Sequence, residues 1–236
     1  MALYETDGDA KWLKYACDAA HQAASWVVSY DYEYSKDCRF GKMDIHTAGS
    51  VWANVQNKHS APGLCTLSAI TFLKIYRATG DEKYLEMMRQ ISHFIPQVAS
   101  YPQRPMMPFW AKSEEDHIDY GAMCERVNMS DWEGNEHVGD AIFGPSNWPQ
   151  ATMMLTWTEI PGVYVVPSEG IVCVSDHVNA WMEDGCLKIQ NPTTMDARVK
   201  VLVEEKEDMK ENLGLYWQDR FKIVEVKAGS VSSMEI

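Results

Sequence analysis

Three acidic side chains and a tryptophan lie close together between residues 125 and 133. The acids are Glu125, Asp131 and Glu133, and Trp132 stands between the last two. Acid/base hydrolysis of a glycosidic bond needs one carboxylic acid that protonates the leaving oxygen and one carboxylate that activates water or attacks. We therefore take Glu125 or Asp131 as the candidate acid and Glu133 as a candidate base. The Trp132 indole can stack on the C–H face of a sugar ring.

Two more side chains of this segment are suited to binding a sugar. Arg126 and Asn128 can hydrogen-bond hydroxyl groups, and the planar guanidinium of Arg126 can hold a uronic carboxylate by two parallel bonds. The alternative interpretation is structural: Ser130 would cap a short helix, and the acids at 131 and 133 would favour its N-terminus. The sequence leaves both interpretations open.

A second polar segment covers residues 44–59. Asp44 is a further candidate for the base or nucleophile, and His46 can transfer a proton or bind a hydroxyl group. Trp52 offers a second stacking surface. The other side chains suited to sugar hydroxyls are Asn54, Gln56 and His59. The alternative interpretation is an ordinary connecting loop that hydrogen-bonds to itself.

No metal or cofactor is predicted. Asp44 and His46 are two positions apart, a spacing that suits neither one helix face nor a metal site, and the remaining histidines are scattered. The sequence has no Gly-x-Ser-x-Gly elbow and no glycine-rich phosphate loop. None of the six cysteines forms a Cys-x-x-Cys pair, so we expect reduced thiols.

The charge balance argues against several partners. The formal net charge is −13, and a polyanionic surface repels nucleic acids and anionic membranes. The N-terminal residues form neither a basic nor an apolar region, and no stretch approaches the roughly 20 apolar residues of a membrane span. The sequence therefore predicts a cytoplasmic protein with no nucleic-acid or membrane partner.

The elements that would position these residues begin with an internal repeat. Residues 8–13 (Gly-Asp-Ala-Lys-Trp-Leu) align with residues 80–85 (Gly-Asp-Glu-Lys-Tyr-Leu). In each copy the aspartate can cap a helix whose apolar residues follow at helical spacing. A further helix, expected over 62–78, separates the two, so the sequence predicts stacked helical hairpins. The alternative is two unrelated capped helices.

After residue 160 the apolar period changes from that of a helix to that of a strand. A last helix is expected over 148–158, and strand-like runs follow at 163–166, 171–174, 186–189, 198–203 and 222–226. The sequence therefore predicts two domains. Residues 1–160 would form the helical hairpins and residues 161–236 a small antiparallel β-sandwich.

Three segments resemble those of one known family. They are Ala-Thr-Gly-Asp-Glu-Lys-Tyr-Leu at 78–85, Glu-Arg-Val-Asn-Met-Ser-Asp-Trp-Glu-Gly at 125–134 and Glu-Ile-Pro-Gly-Val-Tyr at 159–164. These are similar to the C-terminal part of six-hairpin (α/α)6-toroid glycosidases and their uncharacterised bacterial relatives, which often close with a β-sandwich. The resemblance implies an α+β multidomain fold in which partial α/α-toroid hairpins precede the β-sandwich.

The resemblance also implies a carbohydrate ligand and a glycoside hydrolase, or the C-terminal portion of one. The chain departs from the family because it supplies too few helices for six hairpins. A partner chain or a homo-oligomer would then complete the toroid, since open hairpin faces need a cover. The alternative function is a non-catalytic carbohydrate-binding or scaffold module.

Overall fold

The chain is an α+β protein, as the sequence predicts, and its sheets are antiparallel or mixed. The computed structural model describes residues 1–54, 59–61, 68–108, 110–128, 138–140, 142, 144–211 and 217–236, with the backbone alone for 53, 54, 59, 127, 128, 210, 211, 217 and 218. The helices of these ranges are α1 (Ala2–Asp7), α2 (Ala10–Ala24), α3 (Arg39–Lys42), α4 (Ile70–Thr79), α5 (Lys83–Phe94), α6 (Asn147–Glu159) and α7 (Lys206–Glu211). The strands are β1 (Val51–Asn54), β2 (His59–Ala61), β3 (Val127–Asn128), β4 (Val163–Val166), β5 (Ile171–Val174), β6 (Asn179–Glu183), β7 (Cys186–Gln190), β8 (Ala197–Val203), β9 (Lys222–Val226) and β10 (Val231–Glu235).

The chain divides into two compact units, each built from more than one stretch of sequence. Unit 1 contains Met1–His21, Ile70–Arg89 and Glu159–Ile236. Unit 2 contains Gln22–Ala69 and Gln90–Thr158. The expected domains at 1–160 and 161–236 stay a prediction.

Unit 1 is built around two sheets that share one apolar core. One sheet has the strand order β5–β4–β8–β9 and the other the order β10–β7–β6. The buried members of the core are Val163, Val165, Val178, Leu187, Ile189, Val199, Val201 and Val226. Along β6 and β10 exposed residues alternate with half-buried ones, so the second sheet turns its opposite face to solvent.

Five predicted strands are confirmed. Strands β4, β5 and β9 have the predicted bounds, and β7 and β8 each extend one residue further. The sequence does not predict β6 (Asn-Ala-Trp-Met-Glu) and β10 (Val-Ser-Ser-Met-Glu), because neither contains a run of the β-branched residues that mark a strand. The expectation of a wholly antiparallel domain is wrong for one pair. Strands β4 and β8 run parallel, because the chain passes through the other sheet between them.

Strand β4 is buried along its whole length, which explains its uninterrupted apolar sequence. Val163 and Val165 belong to the core between the sheets. Between them, Tyr164 packs edge-on against Tyr76 of α4, with ring centroids 5.9 Å apart. Helix α4 therefore covers the face of β4 that lies away from the core.

A buried ion pair connects α4 to the segment that follows β8. Nε and Nη2 of Arg77 each donate a 2.9 Å hydrogen bond to the carboxylate of Glu204, and the Tyr164 hydroxyl donates to the same group at 3.0 Å. Neither charged side chain is exposed. Arg220 Nη1 adds a fourth donor at 2.9 Å. The buried carboxylate is thus fully surrounded by donors, as a buried charge requires.

The two Gly-Asp segments are two copies of one local helix junction. Gly8 and Gly80 both have a left-handed backbone, with φ of 71° and 74°. Asp9 and Asp81 each accept a hydrogen bond from the backbone N–H of the lysine two positions on. The left-handed glycine ends one helix and the aspartate caps the next.

The expected α/α toroid is wrong. Among the described residues, the Gly-Asp junctions join α1 directly to α2 and α4 directly to α5, whereas β1 and β2 separate α2 from α4, and β3 separates α5 from α6. A short repeat specifies only its own junction, while a ring of hairpins depends on long-range packing between helices. The predicted membership of the six-hairpin toroid family, which the resemblance implied, is therefore wrong.

Within the described residues, no helix combines the length and the apolar character that crossing a membrane would require. The cytoplasmic location stays a prediction.

Candidate functional site

The two polar segments predicted to form a site meet in one small sheet of unit 2. Strands β1, β2 and β3 are neighbours in that order and pair antiparallel. The register places Asn54 opposite His59, and His59 opposite Asn128. The backbone therefore brings three predicted sugar-binding positions, from both segments, into one row across the sheet.

The other predicted residues are described in part. Glu125 and Arg126 are half-buried directly before β3, and Arg126 Nε lies 3.9 Å from Glu125 Oε1. Trp52 is half-buried in β1, where its backbone N–H donates to the carbonyl of Trp26 at 2.8 Å. The predicted residues that lie outside the described residues are Gln56, Asp131, Trp132 and Glu133.

His46 lies between two carboxylates at the surface of unit 2. Its Nδ1 atom is 3.0 Å from Oδ2 of Asp31, and its Nε2 atom is 3.6 Å from Oδ2 of Asp44. The side chain of His46 is 60% exposed and that of Asp44 is 94% exposed. The imidazole thus has a close hydrogen-bond partner on Nδ1 and a more distant carboxylate beside Nε2, and most of its side chain is exposed. We refer to these three residues as the His46 cluster.

Asp31 and His46 each shift the pKa of the other. The hydrogen bond to Asp31 raises the pKa of His46 above its ordinary value, against the opposing effect of partial burial. The pKa of Asp31 is lowered: partial burial opposes this shift, but hydrogen bonds from the Ala48 amide and from His46 outweigh it. The pair therefore favours a protonated imidazole beside an ionised carboxylate.

The backbone around His46 is held by side chains from distant parts of unit 2. The His46 N–H donates to Oε1 of Gln97 at 2.8 Å, and Nε2 of Gln97 donates back to the His46 carbonyl at 3.1 Å. The Ala48 N–H donates to Oδ1 of Asp31 at 3.0 Å. Next to them, the buried Thr47 hydroxyl donates to the Tyr30 carbonyl at 2.8 Å. These bonds fix the segment that carries the imidazole.

Gly49 anchors the same segment against α5. Its φ is 88°, and a Cβ at this position would stand 2.0 Å from the carbonyl oxygen of Gln90. Only glycine allows this close approach of two backbones. At the other end of the segment, Asp44 has φ of 52°, a conformation that non-glycine residues rarely adopt. The cluster therefore lies on a tightly constrained loop.

Arg104 links the supports of this loop. Its guanidinium donates to the carbonyl of Gln97 through Nη2 and to that of Met43 through Nη1, the latter at 3.4 Å. Burial lowers the pKa of Arg104. The side chain also packs over the ring of Tyr101, 5.0 Å from its centroid. Arg104 thus connects the residue that supports His46 with the residue that precedes Asp44.

The sequence predicted Asp44 and His46 but not their supports. Asp31 and Gln97 stand 15 and 51 positions from His46 in the chain. Asp31 lies in a run of alternating tyrosines and acids, which carries no spacing signal for a site. Gln97 follows the end of α5 and has no sequence feature that marks it.

The arrangement is suited to proton transfer. A carboxylate that orients an imidazole through Nδ1 leaves Nε2 to donate or accept a proton near neutral pH. Among the described residues, no group of three or more His, Cys, Asp or Glu side chains is arranged to hold a metal ion.

Comparisons with protein-family models, with curated proteins and with solved structures give no match. The function is therefore argued from the residues themselves.

Proposed function

We propose that the chain is a carbohydrate-active protein that hydrolyses a glycosidic bond, with its site in unit 2. The observation that supports this most is the pairing of β2 with β3, in which His59 faces Asn128 and Ser60 faces Val127. This pairing joins the segment around Asp44 to the segment around Glu125. Those two segments hold all the carboxylates, amides and indoles expected to contact a sugar.

His46 is the proposed acid. Asp31 orients the ring and favours its protonated form, while Nε2 faces outward beside Asp44. In the proposed reaction His46 protonates the leaving oxygen as the glycosidic bond breaks. Asp44 then acts as the carboxylate that activates water or attacks the anomeric carbon. Glu125 remains the alternative acid.

A second candidate function is carbohydrate binding without hydrolysis. The exposure of the acids favours it, because the Asp44 side chain is 94% exposed and catalytic carboxyl groups are usually tuned by burial. In this case Asp31, His46 and Asp44 would hydrogen-bond sugar hydroxyls, and no bond would be cleaved.

The test is turnover and binding by the isolated chain on a panel of aryl glycosides and neutral and acidic oligosaccharides. If His46 is the acid, His46→Gln lowers kcat by about 100-fold or more, and Glu125→Gln has a smaller effect. Asp196→Asn is the matched control, because this exposed carboxylate lies in unit 1 and pairs with Lys227 at 2.7 Å.

Each outcome of the panel separates the candidates. Turnover that is lost in Asp44→Asn and retained in Asp196→Asn supports hydrolysis. Saturable binding without turnover that is weakened in His46→Gln and Asp44→Asn supports the second candidate. Neither turnover nor binding on any member of the panel contradicts both.

Self-association stays a prediction, although closure of a toroid no longer motivates it. Sedimentation velocity measures it directly. A single monomeric species across a hundredfold range of concentration would contradict it.

A further inference from the structure

The second sheet of unit 1 presents a mostly polar face with one tryptophan, on its edge strand β6. The register of β6, β7 and β10 aligns Trp181 with Lys188 and Ser233, and Asn179 with Gln190. The residues between these positions, such as Leu187 and Ile189, belong to the core, so the aligned residues lie on the opposite face. We call this surface the Trp181 face.

The side chains of the Trp181 face are already organised by hydrogen bonds. Lys188 Nζ donates to the Ser233 hydroxyl at 3.2 Å, and Asn179 Nδ2 donates to Oε1 of Gln190 at 3.1 Å. An ammonium group has three donors and a primary amide two donors and an acceptor. The ammonium and amide groups therefore have further hydrogen-bond donors and acceptors that these two contacts do not use.

Trp181 adds an aromatic surface to these polar groups. It is 37% exposed and belongs to the edge strand of a three-stranded antiparallel sheet. Strands lie about 4.8 Å apart and alternate residues about 7 Å apart along a strand. A ring stacked on the indole would therefore have Lys188 beside it on the next strand and the Asn179–Gln190 pair one row away.

We propose that the Trp181 face binds a neutral oligosaccharide, as a second sugar-binding surface separate from the site in unit 2. An exposed indole with amide, hydroxyl and ammonium groups at this spacing matches the alternating C–H faces and hydroxyls of a sugar chain. The choice of a sugar as the ligand rests on the function proposed for unit 2. The description of the surface is independent of that function.

The charges of the face favour a neutral ligand over an acidic one. Lys188 is flanked along the sheet by Glu183 of β6 and Glu235 of β10, both at exposed positions. The whole chain has a formal net charge of −13. These negative charges would repel a polyanionic sugar, and Lys188 is the one cation among the aligned residues of the face. A neutral sugar chain would not be repelled.

The test is titration of the full chain with neutral hexasaccharides of β-1,4-linked glucose, β-1,4-linked mannose and α-1,4-linked glucose, measured by calorimetry. Trp181→Ala is expected to weaken binding of the preferred hexasaccharide at least about tenfold, and Gln190→Ala to weaken it less. Circular dichroism at the temperature of the titration should show that both variants are folded. Trp110→Ala removes another exposed tryptophan, 52% exposed, and is the matched control.

Asp44→Asn separates this proposal from the function of unit 2. Loss of turnover with unchanged hexasaccharide affinity supports a separate face, and this affinity test holds even if no member of the panel is hydrolysed. The proposal is overturned if Trp181→Ala binds like the parent protein, or if no neutral hexasaccharide binds. It is also overturned if hexagalacturonate binds more tightly than every neutral hexasaccharide, or if Trp181→Ala abolishes self-association instead of sugar binding.

Discussion

Nδ1 of His46 lies 3.0 Å from Oδ2 of Asp31, although the two residues stand 15 positions apart in the chain. This hydrogen bond links the loop that carries His46 to the segment that carries Asp31. It also favours the protonated form of the imidazole, because the hydrogen bond to Asp31 raises the pKa of His46. The surrounding bonds from Gln97 and Ala48 keep the two side chains in place.

The first prediction concerns the titration of His46. Asp31→Asn should lower the pKa of the imidazole, because the hydrogen bond and the negative charge that raise it are weakened or removed. The shift is measured by following the ring-proton signals in NMR spectra against pH. The signals of His21, in unit 1, serve as the internal control. An unchanged His46 titration in this variant would show that the pair is not formed in solution.

The same contact predicts how stability depends on pH. The pKa of His46 is raised, so its contribution is complete below the unfolded value near 6.5 and is lost as the pH rises through the folded value. The pKa of Asp31 is lowered, so its contribution is present above the unfolded value near 3.8 and is lost as the pH falls through the folded value. The difference in unfolding midpoint between the parent protein and Asp31→Asn should therefore be largest between pH 3.8 and 6.5. A difference that grows above this range would contradict the assignment.

The third prediction concerns the loop that carries the cluster. Gly49→Ala should lower the free energy of unfolding by more than the about 1–2 kcal/mol expected for a left-handed residue alone, because the new Cβ would stand 2.0 Å from the Gln90 carbonyl. Gly80→Ala is the matched control, since φ is 74° there and nothing lies within 4 Å of the added atom. Urea denaturation measures both. Equal losses would mean that the loop does not lie against α5 as described.

The fourth prediction concerns the buried ion pair of unit 1. Glu204→Ala should lower the free energy of unfolding by about 3–5 kcal/mol, because it leaves a buried guanidinium without its carboxylate. The combined variant Arg77→Met, Glu204→Leu should recover part of this loss, since no buried charge of the pair remains. Lys227→Ala breaks an exposed pair with Asp196 and should leave the midpoint unchanged. A loss in Glu204→Ala no larger than that in Lys227→Ala would contradict the buried pair.

The fifth prediction concerns the cysteines. Cys17, Cys38, Cys124, Cys173 and Cys186 are free thiols, and Cys17 and Cys186 are the two that are partly exposed. Burial raises the pKa of Cys173 to about 12, which disfavours its reactive thiolate. A soluble disulfide reagent should therefore label Cys17 and Cys186 before Cys38, Cys124 and Cys173, as peptide mapping would show. Early labelling of Cys173 would contradict the described burial.

Local features of this fold can be predicted from the sequence better than its long-range packing. The repeated Gly-Asp-x-Lys pattern corresponds to two helix junctions that agree in detail, down to the 2.6 Å contact of each lysine with its aspartate. Those contacts involve neighbours in the chain, which a short pattern can specify. The toroid was implied by a resemblance in three segments, one of which contains this pattern, and it is wrong because the packing of a toroid depends on residues far apart in sequence.

The site follows the same rule. Asp44 and His46 could be selected because a carboxylate and an imidazole close in sequence are chemically conspicuous. The partner of His46 could not, because backbone hydrogen bonds between residues 26–28 and 49–52 bring Asp31 to the ring, and no sequence pattern marks them. The segments around Asp44 and Glu125 are joined by only two residue pairs between β2 and β3. Strands this short contain no alternation of apolar and polar residues from which the pairing could be predicted.

The central claim is tested most directly by the release of reducing ends from oligosaccharides, compared between the parent protein and Asp44→Asn. The account predicts measurable turnover by the parent protein on at least one substrate and a loss of about 100-fold or more in the variant, with both proteins equally folded by circular dichroism. Equal turnover by the two proteins, or none by the parent protein on any substrate, would contradict it.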